Sequence, residues 1–426
     1  MKALINANIY DFQNYRENGY ILFDKEIQEV GPMNIFPGAK QCFDMKNALV
    51  MPGLVVGHTH MYSAFARGMQ VPFHPQSFQD ILTQLWWKLD AALDHEAVYY
   101  SGLVSSAEFI KNGVTTVIDH HAGGKIRGSL NRLKKAVCED AGLRGIFCFE
   151  TSDRFDADEC MEENLSFAAV NSEKCAGMFG MHASMSLSDE TLKKVSTRLR
   201  GMPIHIHVAE SPEDEADSLQ KYGKRVVERL EDFGLLNRNS ILAHCVHVDE
   251  REAGIMAKAG VYVALNPTSN MNNAVGLPDY ERFKEHGIKV LLGNDGLGFN
   301  VAREMLNLTF GMKHRKEHPL AFSLEDLLQV IRNGYEFAGR MLGIKIGRIE
   351  KGCKADMIAV PYMAPTPMNA DNAFGHVFYG LFDHFHPREV LCDGEFVMKD
   401  YEIREELEAV YPAAQKIAKK VWEKIQ

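Results

Sequence analysis

The residues that could do chemistry are histidines and carboxylates set at short spacings. His58 and His60 stand two apart in GHTH. Positions i and i+2 of a strand face the same way, so both imidazoles can reach one ion. His205 and His207 repeat that spacing in HIHVAE, with Glu210 three residues past His207. His207 is the ligand candidate of that pair, and His205 lies deeper, as a core or supporting group. His244 ends the run LAHC, and Asp295 ends the apolar run VLLGNDG. A carboxylate at the end of an apolar strand is costly unless paired or metal-bound. Three imidazoles and one carboxylate suit zinc or ferrous iron, whereas magnesium and calcium prefer oxygen shells. One divalent metal ion is expected, zinc being the better match and iron the alternative. Its remaining position is left for water, as in a catalytic site.

The wider histidine usage points the same way. The chain has 17 histidines, and His58, His60, His120, His121, His182, His205, His207 and His244 fall at proposed strand ends. Core packing does not predict that bias, and a metal site does. His384 and His386 form another HxH pair, near a turn, and are assigned no function. Other catalytic templates are missing: no GxSxG elbow, no Walker loop and no GxGxxG occurs.

These residues need a scaffold that brings distant segments to one place. Between about 51 and 350 the pattern alternates strand and helix. Candidate strands are 54–56, 115–118, 145–149, 177–181, 203–207, 240–243, 261–265 and 289–293, with helical periodicity between them, as over 99–111 and 191–199. Eight such units predict an α/β fold, a (β/α)8 TIM barrel whose site lies where strands run out into loops. An open doubly wound sheet is the alternative. Residues 1–50 and 351–400 read as short strands that alone would build little core. They are expected to pair into one small β-sandwich domain, with the barrel of 51–350 inserted between them. The tail, 401–426, is predicted as a helix from apolar residues at spacings of three and four, with Pro412 starting or kinking it.

Composition sets the bounds. The 426 residues are 46% hydrophobic and 24% charged, as in an ordinary globular protein. A net charge of -10 lacks the basic footprint of a nucleic-acid binder. No apolar window approaches a membrane span, and the N-terminus is polar where a signal peptide needs an apolar core. The eight scattered cysteines, without a CxxC pair, suit reduced thiols in the cytoplasm. A small-molecule substrate is therefore expected, with neither nucleic acid nor membrane as partner.

The motifs PGLVVGHTH, HIHVAE, LAHCVH, NPTSN and GNDG, in that order, resemble the amidohydrolase superfamily. Within it they are most similar to the cytosine/guanine deaminase and chlorohydrolase branch. The likeness covers nearly the whole chain, including GxxADM at Gly352 to Met357. It implies metal ligands His58, His60, His207 and Asp295. Glu210 matches the family's proton-shuttling glutamate, and His244 the histidine that polarises the attacked centre. His182 matches a strand-four histidine that contacts substrate. One departure is Asn294, where relatives more often carry Thr or Ser. The resemblance also makes a homo-oligomer an expectation.

Together these readings predict a metal-dependent hydrolase that deaminates an aminated N-heterocycle, purine- or pterin-like, through a metal-activated water, with release of ammonia. Glu210, His244 and Asp295 are its catalytic residues. Hydrolysis of a cyclic amide or a C–Cl bond at the same site is the alternative, and an inactive metal-binding scaffold the second. A glutamate at position 210 favours deamination, because chloride leaves unprotonated. Trp86, Glu150, Arg154, His121 and His182 are the expected substrate contacts. Tyr62, Phe65, Trp87 and Phe299 are further candidates to stack on a flat ring, and Arg144 a further candidate arginine. Asp119, His120 and Asp153 are expected to touch substrate edges or to support the ligand histidines.

Overall fold

A computed structural model describes residues 1–169 and 171–425. Its strands fall into three sheets in a mixed α/β fold. One four-stranded parallel sheet holds Leu54–Thr59, Val114–His121, Arg144–Phe149 and Cys175–Gly177. A five-stranded parallel sheet holds Phe179–Ala183, Ile204–Val208, Ile241–His244, Tyr262–Leu265 and Lys289–Leu292. Parallel bridges Thr59–Asp295 and Thr151–Met181 connect the two.

The strands form where the sequence is β-branched and apolar through both faces. Val114–His121 reads VTTVIDHH and is buried at every position. That is the signature of a parallel strand buried on both faces. Seven of the expected strands appear within a few residues of their predicted bounds. The expected 177–181 strand is instead two segments, Cys175–Gly177 and Phe179–Ala183. The first pairs with Arg144–Phe149 and the second with Ile204–Val208, so the chain changes partners at Met178. Helix ends follow local chemistry. Leu324–Leu342 begins at a Ser323–Asp326 capping box and stops at Gly343 in the left-handed region.

The chain ends meet in the third sheet. Met357–Val360 pairs antiparallel with Leu49–Pro52, which joins strands from both termini. All these strands belong to one nine-stranded hydrogen-bonded sheet. Lys2–Tyr10 makes this possible, because its long run pairs with Tyr15–Phe23 on one side and with two short strands on the other. The tail departs from the expected continuous helix. Glu402–Ile403 is a strand that pairs with Met398–Lys399. The main tail helix is Tyr411–Ile425, with Pro412 in its first turn, where a missing N–H costs nothing. Residue 426 of that expected helix lies outside the described residues.

Arg144 sits at the seam between the third sheet and the parallel strands, far from any substrate role. It is fully buried and donates to Asp356 at 2.7 and 3.0 Å, to Asp393 at 3.1 Å and to the Glu173 carbonyl at 2.8 Å. Removing one partner of such a pair strands the other charge in the interior. Arg144→Met therefore costs about 3–5 kcal/mol, read by urea unfolding. A loss within 1 kcal/mol of zero, on the order of the median surface ion pair, would show the seam to be unimportant.

The eight cysteines are free, and all but Cys42 are buried. Among the described residues, no helix is long and apolar enough to cross a membrane.

Candidate active site

The site lies where the parallel strands end. His58 and His60 come from the end of Leu54–Thr59, His207 from Ile204–Val208 and His244 from Ile241–His244. Asp295 follows Lys289–Leu292. Four backbone positions at these strand ends have left-handed φ without being glycine: Ala209 at 47°, His244 at 70°, Cys245 at 51° and Asp295 at 53°. Such conformations cost free energy and persist where surrounding contacts enforce them, often at functional sites. They turn Glu210, His244 and Asp295 off their strand axes. Gly293 permits the approach of the strands beneath, since a Cβ there would meet the His58 carbonyl at 2.7 Å and collide with Asn266 Oδ1.

Ligand atoms of His58, His60, His207 and Asp295 all lie within 4.8 Å of one another. The hydrogen bonds around them fix where the ring protons sit. His60 Nδ1 donates to the His120 carbonyl at 2.6 Å, and His207 Nδ1 to the His182 carbonyl at 2.9 Å. A neutral imidazole with its proton on Nδ1 has a bare lone pair on Nε2. The two Nε2 atoms nevertheless face each other at 3.1 Å. Two lone pairs at that distance repel unless a cation lies between them. His58 Nδ1 meets His205 Nε2 at 2.8 Å, and with Nδ1 donating, His58 Nε2 is bare as well. That Nε2 is buried with no hydrogen-bond partner. Asp295 Oδ1 stands 3.0 Å from His60 Nε2 and 3.4 Å from His58 Nε2. This donor set fits a divalent ion.

Electrostatics separate the rings. Burial holds His207 and His58 below the ordinary imidazole range, so both stay neutral and able to ligate. Burial also lowers His60, but the Asp295 carboxylate beside it and the charge of Asp119 outweigh it, and the net shift is upward. Burial would raise Asp295, and the His58 and His60 rings facing it carry it well below the usual range instead.

Glu210, His244 and Asp295 form a second group within 4.8 Å. His244 Nε2 is 3.5 Å from Glu210 Oε2. Burial, and next the charge of Asp295, push the Glu210 carboxyl well above the usual range. A carboxyl moved toward neutrality is suited to exchanging protons.

Of the expected substrate contacts, His182, Trp86 and Glu150 line the cavity above these groups. Arg154 stands behind its wall. It pairs with Asp90 at 2.7 Å, lies 3.6 Å from Glu150 and covers the Trp87 ring at 4.6 Å. Its charge is thereby spent on protein carboxylates. His121 does not line the cavity. It is buried against Tyr62 and Phe149, and burial lowers it to about 3. Tyr62 and Trp87 line the cavity, whereas Phe299 packs on Phe109 and beneath Arg67. Asp119 accepts from the Met61 N–H at 2.6 Å, and Asp153 accepts from the Ser188 N–H at 2.7 Å. Both hold loops. Asn294 bonds the Gly298 carbonyl, away from the cluster.

Sequence reasoning missed Asp90, Asp214, Asn273, Phe78, Leu82 and Met185 on the cavity wall. Single polar or apolar residues in loops carry no periodic signal, and only the fold assembles them.

His205 is the buried partner of His58. Loss of a group that orients a ligand typically costs 10- to 100-fold in metal affinity, so His205→Leu should weaken zinc binding by about that factor. Competition against a chromogenic chelator measures it. Unchanged affinity would make His205 ordinary core.

Taken together, the fold and the paired donor sets define a metal-dependent hydrolase. A family model described as the amidohydrolase family matches residues 49–397. The chain belongs to that family. It is 29% identical over 401 residues to a 5'-deoxyadenosine deaminase of Methanococcus maripaludis, covering 88% of this chain and 89% of the relative. It is 30% identical over 402 residues to a 5-methylthioadenosine/S-adenosylhomocysteine deaminase of Desulfitobacterium hafniense, covering 91% and 88%. An adenosine deaminase from Xanthomonas campestris, solved with bound zinc, has the same fold, with a TM-score of 0.83, 22% identity and coverage of 99% and 98%.

Proposed function

We propose that this chain deaminates an aminated purine-type heterocycle at one zinc site held by His58, His60, His207 and Asp295. The carrying observation is the convergence of bare Nε2 atoms on one carboxylate, next to Glu210 and His244. The names of the relatives support a nucleoside as substrate. Iron is the alternative metal. We read the two parallel sheets as one closed (β/α)8 barrel over 51–350, with the bridges at Thr59–Asp295 and Thr151–Met181 completing the ring. Residues 1–50 and 351–400 then form a separate small β domain, and 401–426 a tail. A small-molecule substrate, a cytoplasmic location and a homo-oligomeric assembly complete the reading.

A divalent ion bound there supplies Lewis-acid chemistry, lowering the pKa of water toward about 7. Glu210 takes one proton of the attacking water and delivers it to a ring nitrogen of the substrate. Asp295 accepts the second proton, which leaves with the amino group as ammonia. The C–O bond forms first, leaving a tetrahedral carbon, and the bond from that carbon to the amino group breaks once the amino group has its third proton. His244 donates a hydrogen bond to the oxygen on the attacked carbon. His182, Glu150 and Trp86 hold the ring, and Arg154 and His121 act from behind the wall.

The test is ammonia release by zinc-loaded protein from 5'-deoxyadenosine, methylthioadenosine, adenosine, guanine and a pterin. Release from one or more supports the reading. Chloride release from a chlorinated triazine, or ring opening of a cyclic amide, with no ammonia from the panel, replaces it. No product from any compound favours an inactive scaffold.

A further inference from the structure

The segment NPTSN, 266–270, supplies no ligand and no acid or base in the mechanism above, yet it touches two groups that do. The short helix Pro267–Asn272 begins here, right after the strand Tyr262–Leu265. Ser269 and Asn270 are buried. Ser269 Oγ donates to Asp295 Oδ2, the carboxylate oxygen turned away from His60. Asn270 Nδ2 lies 2.9 Å from His244 Nδ1, the shortest polar contact of that ring.

We infer that Asn270 is a positioning residue that sets the tautomer of His244, holding Nδ1 bare so that the ring presents Nε2–H to the reacting centre. Two contacts of the ring agree. On one side an amide N–H points at Nδ1, which must then accept. On the other, Nε2 faces Glu210 Oε2 at 3.5 Å, which leaves room for a proton on that nitrogen. Asn266 Nδ2 lies 3.5 Å from both Nε2 and the Ala264 carbonyl, a long reach beside the 2.9 Å contact of Asn270 at Nδ1.

The consequence separates the histidines by role. His60 and His207 give their Nδ1 protons to backbone carbonyls and turn bare Nε2 atoms toward the ion. His244 meets a donor instead of a carbonyl, so its proton is on the opposite nitrogen. A protonated Nε2 cannot ligate a metal, and it can donate to negative charge developing on an attacked carbon's oxygen. One amide thus keeps a neighbouring histidine out of the ligand set. The inference rests on the reading of His244 as that donor.

Nitrogen NMR of protein labelled at histidine, loaded with zinc alone, reads the proton position directly, and His244→Gln identifies the resonances. The expected result is a proton on Nε2 of His244 in the wild-type chain. In Asn270→Asp an acceptor replaces the donor, and the proton should move to Nδ1. On 5'-deoxyadenosine, kcat of that variant should fall about 10²- to 10³-fold, the usual cost of one lost donor to developing charge, with KM within about twofold. A proton on Nδ1 in the wild-type chain overturns the inference, and so does an unmoved proton in Asn270→Asp. If the aspartate variant does not fold, the wild-type spectrum still decides. If no compound is turned over, the proposed function fails while the spectrum still answers for Asn270.

Discussion

Glu210→Gln should keep its metal and lose turnover at least about a hundredfold, the lower end of what a positioned proton-transfer group contributes. The substitution preserves size and a hydrogen-bonding oxygen, so the cavity and the 3.5 Å contact with Asn273 have a counterpart in the variant. What disappears is the ability to take a proton and return it. Glu210 is placed for that task by its backbone and not by a tight bond of its own. Ala209, in the left-handed region, is pinned by its N–H to Asp214 at 2.9 Å and by its carbonyl to the His247 N–H at 3.0 Å. The variant's metal content should match the parent's, because Glu210 belongs to the second group of donors and not to the first. Parent-level kcat in a metal-replete Glu210→Gln protein would remove the proton shuttle from the mechanism.

His207→Ala should lose both the metal and the reaction. The cost in affinity must exceed the 10- to 100-fold typical of a supporting contact, since a direct donor is removed. Several kcal/mol of transition-state stabilisation go with the ion, or about 10³-fold and more in rate. The fold should survive, because the ring lies at the cavity edge, about 8% exposed, and the strand Ile204–Val208 is held by neighbours on both sides. Metal analysis after dialysis, together with the ammonia assay, checks both halves. A variant that still carries one equivalent of zinc would place the ion elsewhere, and the tautomer argument at His60 and His207 would fall with it.

The ligand candidates were legible because strands have period two and chemistry has few options. His58 with His60, and His207 ahead of Glu210, announce themselves by spacing alone. Asp295 stands out because a carboxylate is costly at the end of VLLGNDG. The aromatic and arginine contacts were less legible. Arg154 and Arg144 look alike in the sequence, as lone arginines near strands. The structure gives one to Asp90 and Glu150 beside the cavity, and the other to Asp356 and Asp393 at the seam with the terminal sheet. Little local distinguishes them, because Asp90, Asp356 and Asp393 are all remote in the chain. Asp90, in LWWKLD, was invisible as a wall residue for the same reason.

Residue order alone determined which side chains can ligate, which can carry a proton, and that strands alternate with helices to present them. It could do so because side-chain chemistry and backbone periodicity are local properties. Only the tertiary structure decided which ring nitrogens of His60, His207 and His244 face carbonyls and which faces an amide, and therefore which rings are free to ligate and which one can donate. The ring protons are set by carbonyls of His120 and His182 and by the amide of Asn270, groups 60, 25 and 26 positions away from the rings they control. Such contacts exist only once the strands are assembled side by side.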